Sequence, residues 1–227
     1  MALHDRWVQE RRHEHYYKLA KKLNYRSRAS FKLIQIDERF GIFKEGDSVV
    51  DLGACPGGWL QVARDRTEPG GKVVGVDLRY IHPLEGVETI IGDITEDKTM
   101  LEILNSFNGK VDIVLSDMAP NIGGHYSTDH ARSIELCGFA LGVCDRILKK
   151  NGKMVMKVFM GDLFDLLLDD LNKRFTSVKV HSPEATRATS SEVYVIAKGF
   201  KASMNVKVDK DKILEERPEF VKKGVNI

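Results

Sequence analysis

The fold of this chain is decided by the stretch Val49-Val50-Asp51-Leu52-Gly53-Ala54-Cys55-Pro56-Gly57-Gly58-Trp59. It starts as an apolar β-strand with a carboxylate near its end and runs directly into a glycine-rich turn. Gly53, Gly57 and Gly58 remove side chains where a ligand must approach the backbone, and they permit positive φ. Such a turn at the carboxyl end of a parallel strand is typical of a site for a nucleotide-type ligand.

The spacing of these glycines excludes two common nucleotide-binding loops. A dinucleotide fingerprint needs Gly-x-Gly-x-x-Gly, and a phosphate loop needs Gly-x4-Gly-Lys-Ser/Thr. Here three residues separate Gly53 from Gly57, Pro56 stiffens the turn, and no lysine follows. The pattern Asp-x-Gly-x-x-Pro-Gly-Gly-Trp instead resembles the S-adenosylmethionine loop of class I methyltransferases.

Length and composition predict a single α/β domain with short extensions, because the chain has 227 residues. No apolar run approaches the roughly 20 residues that span a bilayer, and the first residues lack the apolar core of a signal peptide. The cysteines, Cys55, Cys137 and Cys144, lack Cys-x-x-Cys spacing, which predicts reduced thiols rather than disulfides or a zinc site. We expect a cytoplasmic monomer without bound metal and without a membrane partner.

Charge is distributed unevenly along the chain. Residues 1–32 hold nine Lys and Arg against three acidic residues, a balance of +6, although the whole chain carries only +2. Aromatic and imidazole side chains are interleaved with these cations: Trp7, His13, His15, Tyr16, Tyr17 and Tyr25. Cations attract phosphates and aromatic rings stack on bases, so this arm is suited to bind a polyanion. An amphipathic helix with its aromatics packed inward explains the same pattern equally well.

Strands and helices alternate through the rest of the chain. Strands are predicted at 48–51, 72–76, 88–91, 111–115, 153–158, 176–181 and 192–198, and helices at about 6–23, 30–40, 58–65, 97–106, 129–148 and 162–173. The helix at 129–148 is expected to end in a lysine-rich last turn, Lys149-Lys150-Asn151-Gly152. Alternation at this rhythm predicts a doubly wound, mostly parallel sheet with helices on both faces. The last two strands are too close in sequence for a helical crossover, so the last strand is predicted to be antiparallel.

Acidic residues recur where the predicted strands end: Asp51, Asp77, Asp93 and Asp117. The carboxyl ends of parallel strands line one edge of a sheet, where ligands bind. Asp77 is placed to accept hydrogen bonds from both hydroxyls of a ribose, and Asp93 from an adenine amino group. Any one of these residues alone could instead be a helix N-cap or a turn residue. Four of them in register behind a glycine-rich loop favour a nucleoside site.

A second group converges on the same edge by topology. Asp117 follows the fourth strand, Lys157 closes the fifth, and Glu192 opens a final strand that begins at this edge if it is antiparallel. A charge late in an apolar strand is costly unless it is partnered or functional, and Lys157 is such a charge. The cluster is suited to orient and deprotonate a hydroxyl. The alternative is a structural salt bridge at the sheet edge.

Five stretches of the sequence resemble the FtsJ/RrmJ family of RNA 2′-O-methyltransferases, and they occur in the family's order. They are Tyr25-Arg26-Ser27-Arg28-Ala29-Ser30-Phe31-Lys32-Leu33, Asp51 through Trp59, Ser116-Asp117-Met118-Ala119-Pro120-Asn121, Val155-Met156-Lys157-Val158-Phe159 and Ser190-Ser191-Glu192-Val193-Tyr194. The resemblance implies a class I S-adenosylmethionine-dependent methyltransferase fold, which is Rossmann-like, with a catalytic tetrad of Lys32, Asp117, Lys157 and Glu192. It implies cofactor contacts from Gly57, Trp59, Asp77, Asp93 and Asp117, to which the loop itself adds Asp51, Gly53 and Gly58.

The resemblance implies methyl transfer from S-adenosylmethionine to a ribose 2′-hydroxyl, without a metal or a covalent enzyme intermediate. The expected substrate is a uridine of large-subunit ribosomal RNA, within the large subunit. Lysine amines are almost wholly protonated at neutral pH, so Lys157 serves either as the proton acceptor or as a donor that orients the hydroxyl. The sequence leaves both roles open.

Three other functions remain open at this point: a tRNA anticodon-loop 2′-O-methyltransferase, a non-catalytic RNA-binding factor of ribosome assembly, and a small-molecule O-methyltransferase. The intact tetrad opposes the second, and the basic arm opposes the third. We expect a basic, aromatic arm at 1–24, a methyltransferase domain at 25–200 and a charged tail at 201–227. The residues predicted to contact RNA are Arg11, Arg12, Lys21, Lys22, Arg26 and Arg28.

Overall fold

The structure is a computed structural model in which residues 14–120, 123, 126–187 and 190–201 are described. A helical segment at residues 14–22 precedes the labelled helices, and we refer to it as the N-terminal helical segment. The helices are α1 (Ala29–Phe40), α2 (Gly58–Thr67), α3 (Asp97–Phe107), α4 (Tyr126–Ile147) and α5 (Phe164–Arg174). The strands are β1 (Ser48–Leu52), β2 (Lys72–Asp77), β3 (Val87–Ile91), β4 (Val111–Ser116), β5 (Leu148–Phe159), β6 (Phe175–His181) and β7 (Glu192–Phe200).

The strands form one seven-stranded sheet in the order β3-β2-β1-β4-β5-β7-β6. Neighbours from β3 to β5 pair in parallel, whereas β7 lies antiparallel between β5 and β6. The prediction of a mostly parallel seven-stranded sheet with an antiparallel last strand is therefore confirmed. Strand order reverses between β1 and β4, which is where ligands bind in open α/β sheets.

Helices cover both faces of the sheet because its central strands are apolar on both faces. Val50 and Leu52 of β1 pack on the face covered by α3, α4 and α5, whereas Val49 packs on the face covered by α1 and α2. The alternation follows from the two-residue period of a strand. The helix predicted at 30–40 is α1, which ends at Phe40 and is capped by Gly41, whose φ of 60° is in the left-handed region.

The boundary between α4 and β5 corrects the sequence prediction. The helix ends at Ile147, and the segment expected to be its lysine-rich last turn belongs to β5. Leu148 is fully buried and pairs with Val111, and the ammonium of Lys149 lies 2.8 Å from Asp112 Oδ2. The prediction was wrong because pairing with β4 overrides local helix-ending signals, which carry no information about a neighbouring strand.

The N-terminal helical segment presents different faces to the protein and to solvent. Ala20 is buried against Phe31 and Ala185, and the Tyr16 hydroxyl accepts a hydrogen bond from Gln35 Nε2. Tyr17 is 50% exposed. Residues 1–13 of the predicted arm and 202–227 of the predicted tail lie outside the described residues. Within the described ranges, no helix is both long and apolar enough to cross a membrane.

Candidate active site

Strand register places carboxylates from three neighbouring strands on one face of the sheet. Asp51 of β1 is in register with Gly75 of β2 and Leu115 of β4. Asp77 and Asp117 lie two residues beyond those partners, and residues two apart in a strand share a face. The sheet therefore brings together three of the four acidic residues that the sequence singled out.

The same row continues into β5 and β7 through Lys157. This residue follows Val155, the partner of Leu115, by two positions, so its side chain lies beside Asp117. Its ammonium lies 3.0 Å from Asp117 Oδ1 and donates a 2.5 Å hydrogen bond to the main-chain oxygen of Asp117. Lys157 is only 9% exposed, so this ion pair is shielded from solvent.

Lys32 and Glu192 form a second buried ion pair. Lys32 lies in the first turn of α1, and Glu192 opens β7 two residues before Tyr194. Side-chain exposure is 7% for Lys32 and 14% for Glu192. The four residues predicted as a catalytic tetrad are thus brought together as two ion pairs from four different elements.

Tyr194 joins the two ion pairs, and the sequence analysis did not identify it as a site residue. It pairs directly with Lys157 across the strands, and its hydroxyl donates a 2.9 Å hydrogen bond to Asp117 Oδ1. The Lys32 ammonium lies 5.6 Å from the centroid of its ring. Burial, followed by the negative charges of Asp117 and Glu192, raises the pKa of Tyr194 well above its usual value, so it stays a hydrogen-bond donor. The sequence did contain a signal for Tyr194, because residues two apart in a strand lie on the same face and Tyr194 follows Glu192 by two.

The glycine-rich loop is held against the ends of β2 and β4. The amides of Gly53 and Ala54 both donate to the main-chain oxygen of Val76, at 2.8 and 3.1 Å. Gly53 has a φ of 74°, and a Cβ at this position would lie 2.6 Å from Met118 Cγ. A side chain here would therefore force apart the loop and the segment that carries Asp117.

Gly58 and Trp59 attach α2 to α1. A Cβ on Gly58 would lie 2.7 Å from Ser30 Oγ, and that hydroxyl donates to the Gly58 oxygen at 2.9 Å. Trp59 is 3% exposed and donates from its indole nitrogen to the main-chain oxygen of Ala29 at 2.9 Å. In this structure, both residues serve packing, and their predicted cofactor contacts stay predictions.

Asp77 and Asp93 differ in how their carboxylates are used. Asp77 Oδ2 accepts from the Cys55 amide and Oδ1 from the Arg79 amide, each at 2.9 Å. Asp77 therefore orients the glycine-rich loop. Asp93 Oδ1 accepts from the amide and the hydroxyl of Thr95, at 2.9 and 2.7 Å, which is the turn role that any single Asp can have.

The predicted RNA-binding residues occupy different environments. Arg11 and Arg12 lie outside the described residues, and Lys21 and Lys22 are exposed. The remaining two, Arg26 and Arg28, are half-buried. Arg26 donates to main-chain oxygens of the protein, whereas Arg28 makes one long contact of 3.5 Å to the oxygen of Ala185. Burial, then the charge of Arg187, lowers the pKa of Arg28.

Residues 25–200 match the profile of the FtsJ-like methyltransferase family. The chain belongs to this family. A relative named ribosomal RNA large subunit methyltransferase E, from Methanosarcina acetivorans, is 54% identical to this methyltransferase over 190 residues, 83% of this chain and 69% of the relative. The enzyme of the same name from Methanococcus vannielii is 46% identical over 220 residues, 95% of this chain and 85% of the relative.

A crystal structure of a protein named as a putative ribosomal RNA methyltransferase, from Plasmodium falciparum, has the same fold. It superimposes on this methyltransferase with a TM-score of 0.71 and 28% identity. The superposition covers 78% of this chain and all of that one. The class I methyltransferase fold expected from the sequence is thereby confirmed.

The residues of this methyltransferase fit S-adenosylmethionine. Asp51 is 1% exposed, and neither of its carboxylate oxygens has a hydrogen-bond partner among the described residues. Burial, followed by the charges of Asp117 and Asp77, raises the pKa of Asp51 well above its usual value. A buried polar group without a hydrogen-bond partner is costly, and Asp51 lies directly before the glycine-rich loop, so this group fits a site that a polar ligand completes. Asp77 retains acceptor capacity, since a carboxylate has about four lone-pair sites.

The cysteines of this methyltransferase are free thiols. Burial raises the pKa of Cys137 to about 12, and Cys144 is fully buried in the same core. Within the described ranges, no group of three or more His, Cys, Asp or Glu residues is arranged to hold a metal ion.

Proposed function

We propose that this methyltransferase uses S-adenosylmethionine to methylate the 2′-hydroxyl of a uridine ribose in large-subunit ribosomal RNA. The observation that carries this proposal is the pairing of Lys157 with Asp117 beside the pairing of Lys32 with Glu192, at the edge that carries the glycine-rich loop. The curated relatives are named for ribosomal RNA of the large subunit, and their identity of about one half supports the same substrate.

S-adenosylmethionine supplies an electrophilic methyl group on a sulfonium, which is already a good leaving group. The protein then has to hold the hydroxyl in line and manage a single proton. Lys157 is placed for both tasks. Its nitrogen donates a hydrogen bond to the main-chain oxygen of Asp117 and lies 3.0 Å from the Asp117 carboxylate, so it is fixed at the edge of the sheet where the ribose would bind. As an amine, Lys157 would take the proton; as an ammonium, it would orient the hydroxyl and stabilise the developing oxyanion.

Asp117 and Tyr194 fix the position of Lys157. Oδ1 of Asp117 accepts the hydrogen bond of the Tyr194 hydroxyl and also forms the ion pair with Lys157. The position of the carboxylate is therefore fixed, and the lysine has little freedom to rotate away. Lys32 and Glu192 neutralise one another next to the Tyr194 ring. We propose that this second pair lines the approach of the RNA ribose and contributes less to the rate than Lys157.

RNA approaches over the N-terminal segment in this proposal. Lys21 and Lys22 are exposed, and Arg28 lies close enough to Asp117 and Glu192 for their charges to affect its pKa. The basic arm at 1–24 supplies phosphate contacts, the domain at 25–200 carries out the transfer, and the tail at 201–227 is separate from both. We further propose that the protein acts in the cytoplasm as a monomer on RNA within the large ribosomal subunit.

The test is transfer of tritiated methyl from S-adenosylmethionine to large subunits, free ribosomal RNA and tRNA, each prepared without the modification. We expect label at a ribose of large-subunit RNA, with the adjacent phosphodiester made resistant to alkali. Lys157→Ala is the matched control and should transfer almost no label.

The other outcomes each support a different function. Label in the tRNA anticodon loop would show that the substrate is tRNA and not ribosomal RNA. Binding of RNA without transfer to any of the three would favour an assembly factor, which the presence of all four tetrad residues opposes.

A further inference from the structure

Arg26 makes an unusual set of contacts for a residue expected to bind RNA. Its Nη1 donates to the main-chain oxygens of Pro56 and His82, at 3.3 and 2.6 Å. Its Nη2 donates to the oxygen of Pro83 at 2.6 Å. The guanidinium therefore bridges the glycine-rich loop and the segment that follows β2.

The glycine-rich loop is shaped around this guanidinium. A Cβ on Gly57 would lie 2.9 Å from Arg26 Nη1 and 3.2 Å from its Cδ. Gly57 also has a φ of 104°, so any other residue would meet both backbone strain and the arginine. The absence of a side chain at Gly57 thus makes room for Arg26, in addition to any ligand.

The backbone around Arg26 is bonded to the same region. The Arg26 amide donates to Gln61 Oε1 at 2.7 Å, and Gln61 Nε2 donates to the main-chain oxygen of Asn24 at 2.9 Å. Gln61 lies in α2, directly after the glycine-rich loop. Side-chain and main-chain bonds together fix the segment that contains Arg26 to the loop and to the helix that follows it.

Arg28, only two residues further on, has a different environment. Its guanidinium makes a long contact of 3.5 Å to the main-chain oxygen of Ala185, and burial lowers its pKa while the charges of Glu192 and Asp117 act to raise it. Arg28 is thus close enough to Glu192 and Asp117 for their charges to act on it, and its contact at Ala185 lies away from the glycine-rich loop. The two arginines form a natural matched pair, with the same chemistry at neighbouring positions and different surroundings.

We propose that Arg26 is a positioning residue of the cofactor site, which holds the glycine-rich loop against the segment after β2, and that it is not a phosphate ligand of the RNA. A guanidinium has five N–H donors in a fixed fork. Three of these N–H groups donate to main-chain oxygens, one in the glycine-rich loop and two in the segment after β2, so the guanidinium holds the two together. This proposal rests on the proposed function, from which it takes S-adenosylmethionine as the ligand of the glycine-rich loop.

The experiment compares Arg26→Lys, Arg26→Gln and Arg28→Gln with the unaltered protein. Calorimetry measures the Kd for S-adenosylmethionine, and RNA affinity is measured over a series of salt concentrations. Arg26→Lys keeps the positive charge but cannot reach all three oxygens. We expect it to raise the Kd and the KM for the cofactor about tenfold, the equivalent of one lost charge-assisted bond. The kcat at saturating cofactor and the salt slope for RNA should stay unchanged.

Arg28→Gln should give the opposite pattern. It should leave the Kd for the cofactor unchanged and reduce the salt slope by about one phosphate contact. Arg26→Gln should match Arg26→Lys on the cofactor and also keep the RNA salt slope, because its charge is not used by RNA. The melting temperature of each variant shows whether the domain remains folded.

Two results would overturn the proposal. One is a normal cofactor Kd for folded Arg26→Lys, and the other is a reduced salt slope for Arg26→Gln like that of Arg28→Gln. Failure of the proposed function is a different result, since the unaltered protein would then bind no S-adenosylmethionine.

Discussion

The hydroxyl of Tyr194 donates a 2.9 Å hydrogen bond to Oδ1 of Asp117. The same oxygen lies 3.0 Å from the Lys157 ammonium, so a single carboxylate oxygen accepts the tyrosine hydrogen bond and forms the ion pair with the lysine. Tyr194 is fully buried, and the Lys32 ammonium of the second ion pair lies 5.6 Å from the centroid of its ring. The tetrad is therefore organised around a tyrosine that holds one of its carboxylates in place.

Tyr194→Phe removes this hydroxyl and keeps the ring. We expect the free energy of unfolding to fall by about 1 kcal/mol, the usual net value of one hydrogen bond. The rate of methyl transfer should fall by less than it does in Lys157→Ala, because Lys157 still contacts Asp117. Chemical denaturation and single-turnover transfer measure the two effects. A wild-type rate in Tyr194→Phe would show that the hydroxyl does not position Asp117.

Lys157→Ala should fold and bind cofactor and RNA almost normally but transfer methyl at least about a hundredfold more slowly. The physical reason is that Asp117 holds the Lys157 nitrogen through its carboxylate and its main-chain oxygen, at the position proposed for the reacting hydroxyl. Lys157→Arg should also be slow, because a guanidinium stays protonated and has a different donor geometry. Single-turnover kinetics with saturating cofactor give the measurement. A near-normal rate would reduce Lys157 to a structural ion pair.

Asp77→Ala should raise the Kd for S-adenosylmethionine at least about tenfold. It removes the proposed ribose contact and also the acceptor that fixes the Cys55 amide. Asp93→Ala should have a smaller effect, and that effect should shrink further with a cofactor analogue that lacks the adenine amino group. Calorimetry on folded variants decides both. An unchanged Kd for Asp77→Ala would remove Asp77 from the cofactor site.

Asp51 should make stability depend on pH. Burial and the charges of Asp117 and Asp77 raise its pKa in the folded state, so the folded protein retains a proton that the unfolded chain releases. Stability from this group is fully present below the unfolded pKa and is lost as pH rises through the raised folded pKa. Asp51→Asn cannot ionise and should flatten this loss. Urea unfolding of both proteins over a pH series makes the comparison, and identical pH slopes would contradict it.

The basic arm should contribute to RNA affinity in proportion to its charge. Replacing Arg11, Arg12, Lys21 and Lys22 together by Ala should weaken RNA binding and flatten its dependence on salt, since fewer counterions are released. Cofactor affinity should not change, and calorimetry provides that control. If the salt slope is unchanged, the RNA follows another path, and Arg28 becomes the first residue to test.

The sequence alone determined the order of elements and the antiparallel last strand, and its resemblance to a known family predicted the residues of the tetrad. These follow from local signals: apolar runs of strand length, glycine positions and short motifs in a fixed order. It also placed Asp51, Asp77 and Asp117 at strand ends, because the end of an apolar run can be read directly from the order of residues. The boundary at Ile147 was missed because Leu148 joins β5 only through its partner Val111.

Only the tertiary structure decided how these residues pair. The sequence could not show that Asp117 binds Lys157 while Glu192 binds Lys32, since four charges of two signs allow more than one pairing. Tyr194 and Arg26 take their roles from neighbours 77 and 30 residues away in the chain. Hydrogen bonds depend on distance and direction in space, and a sequence records only which groups are available to make them.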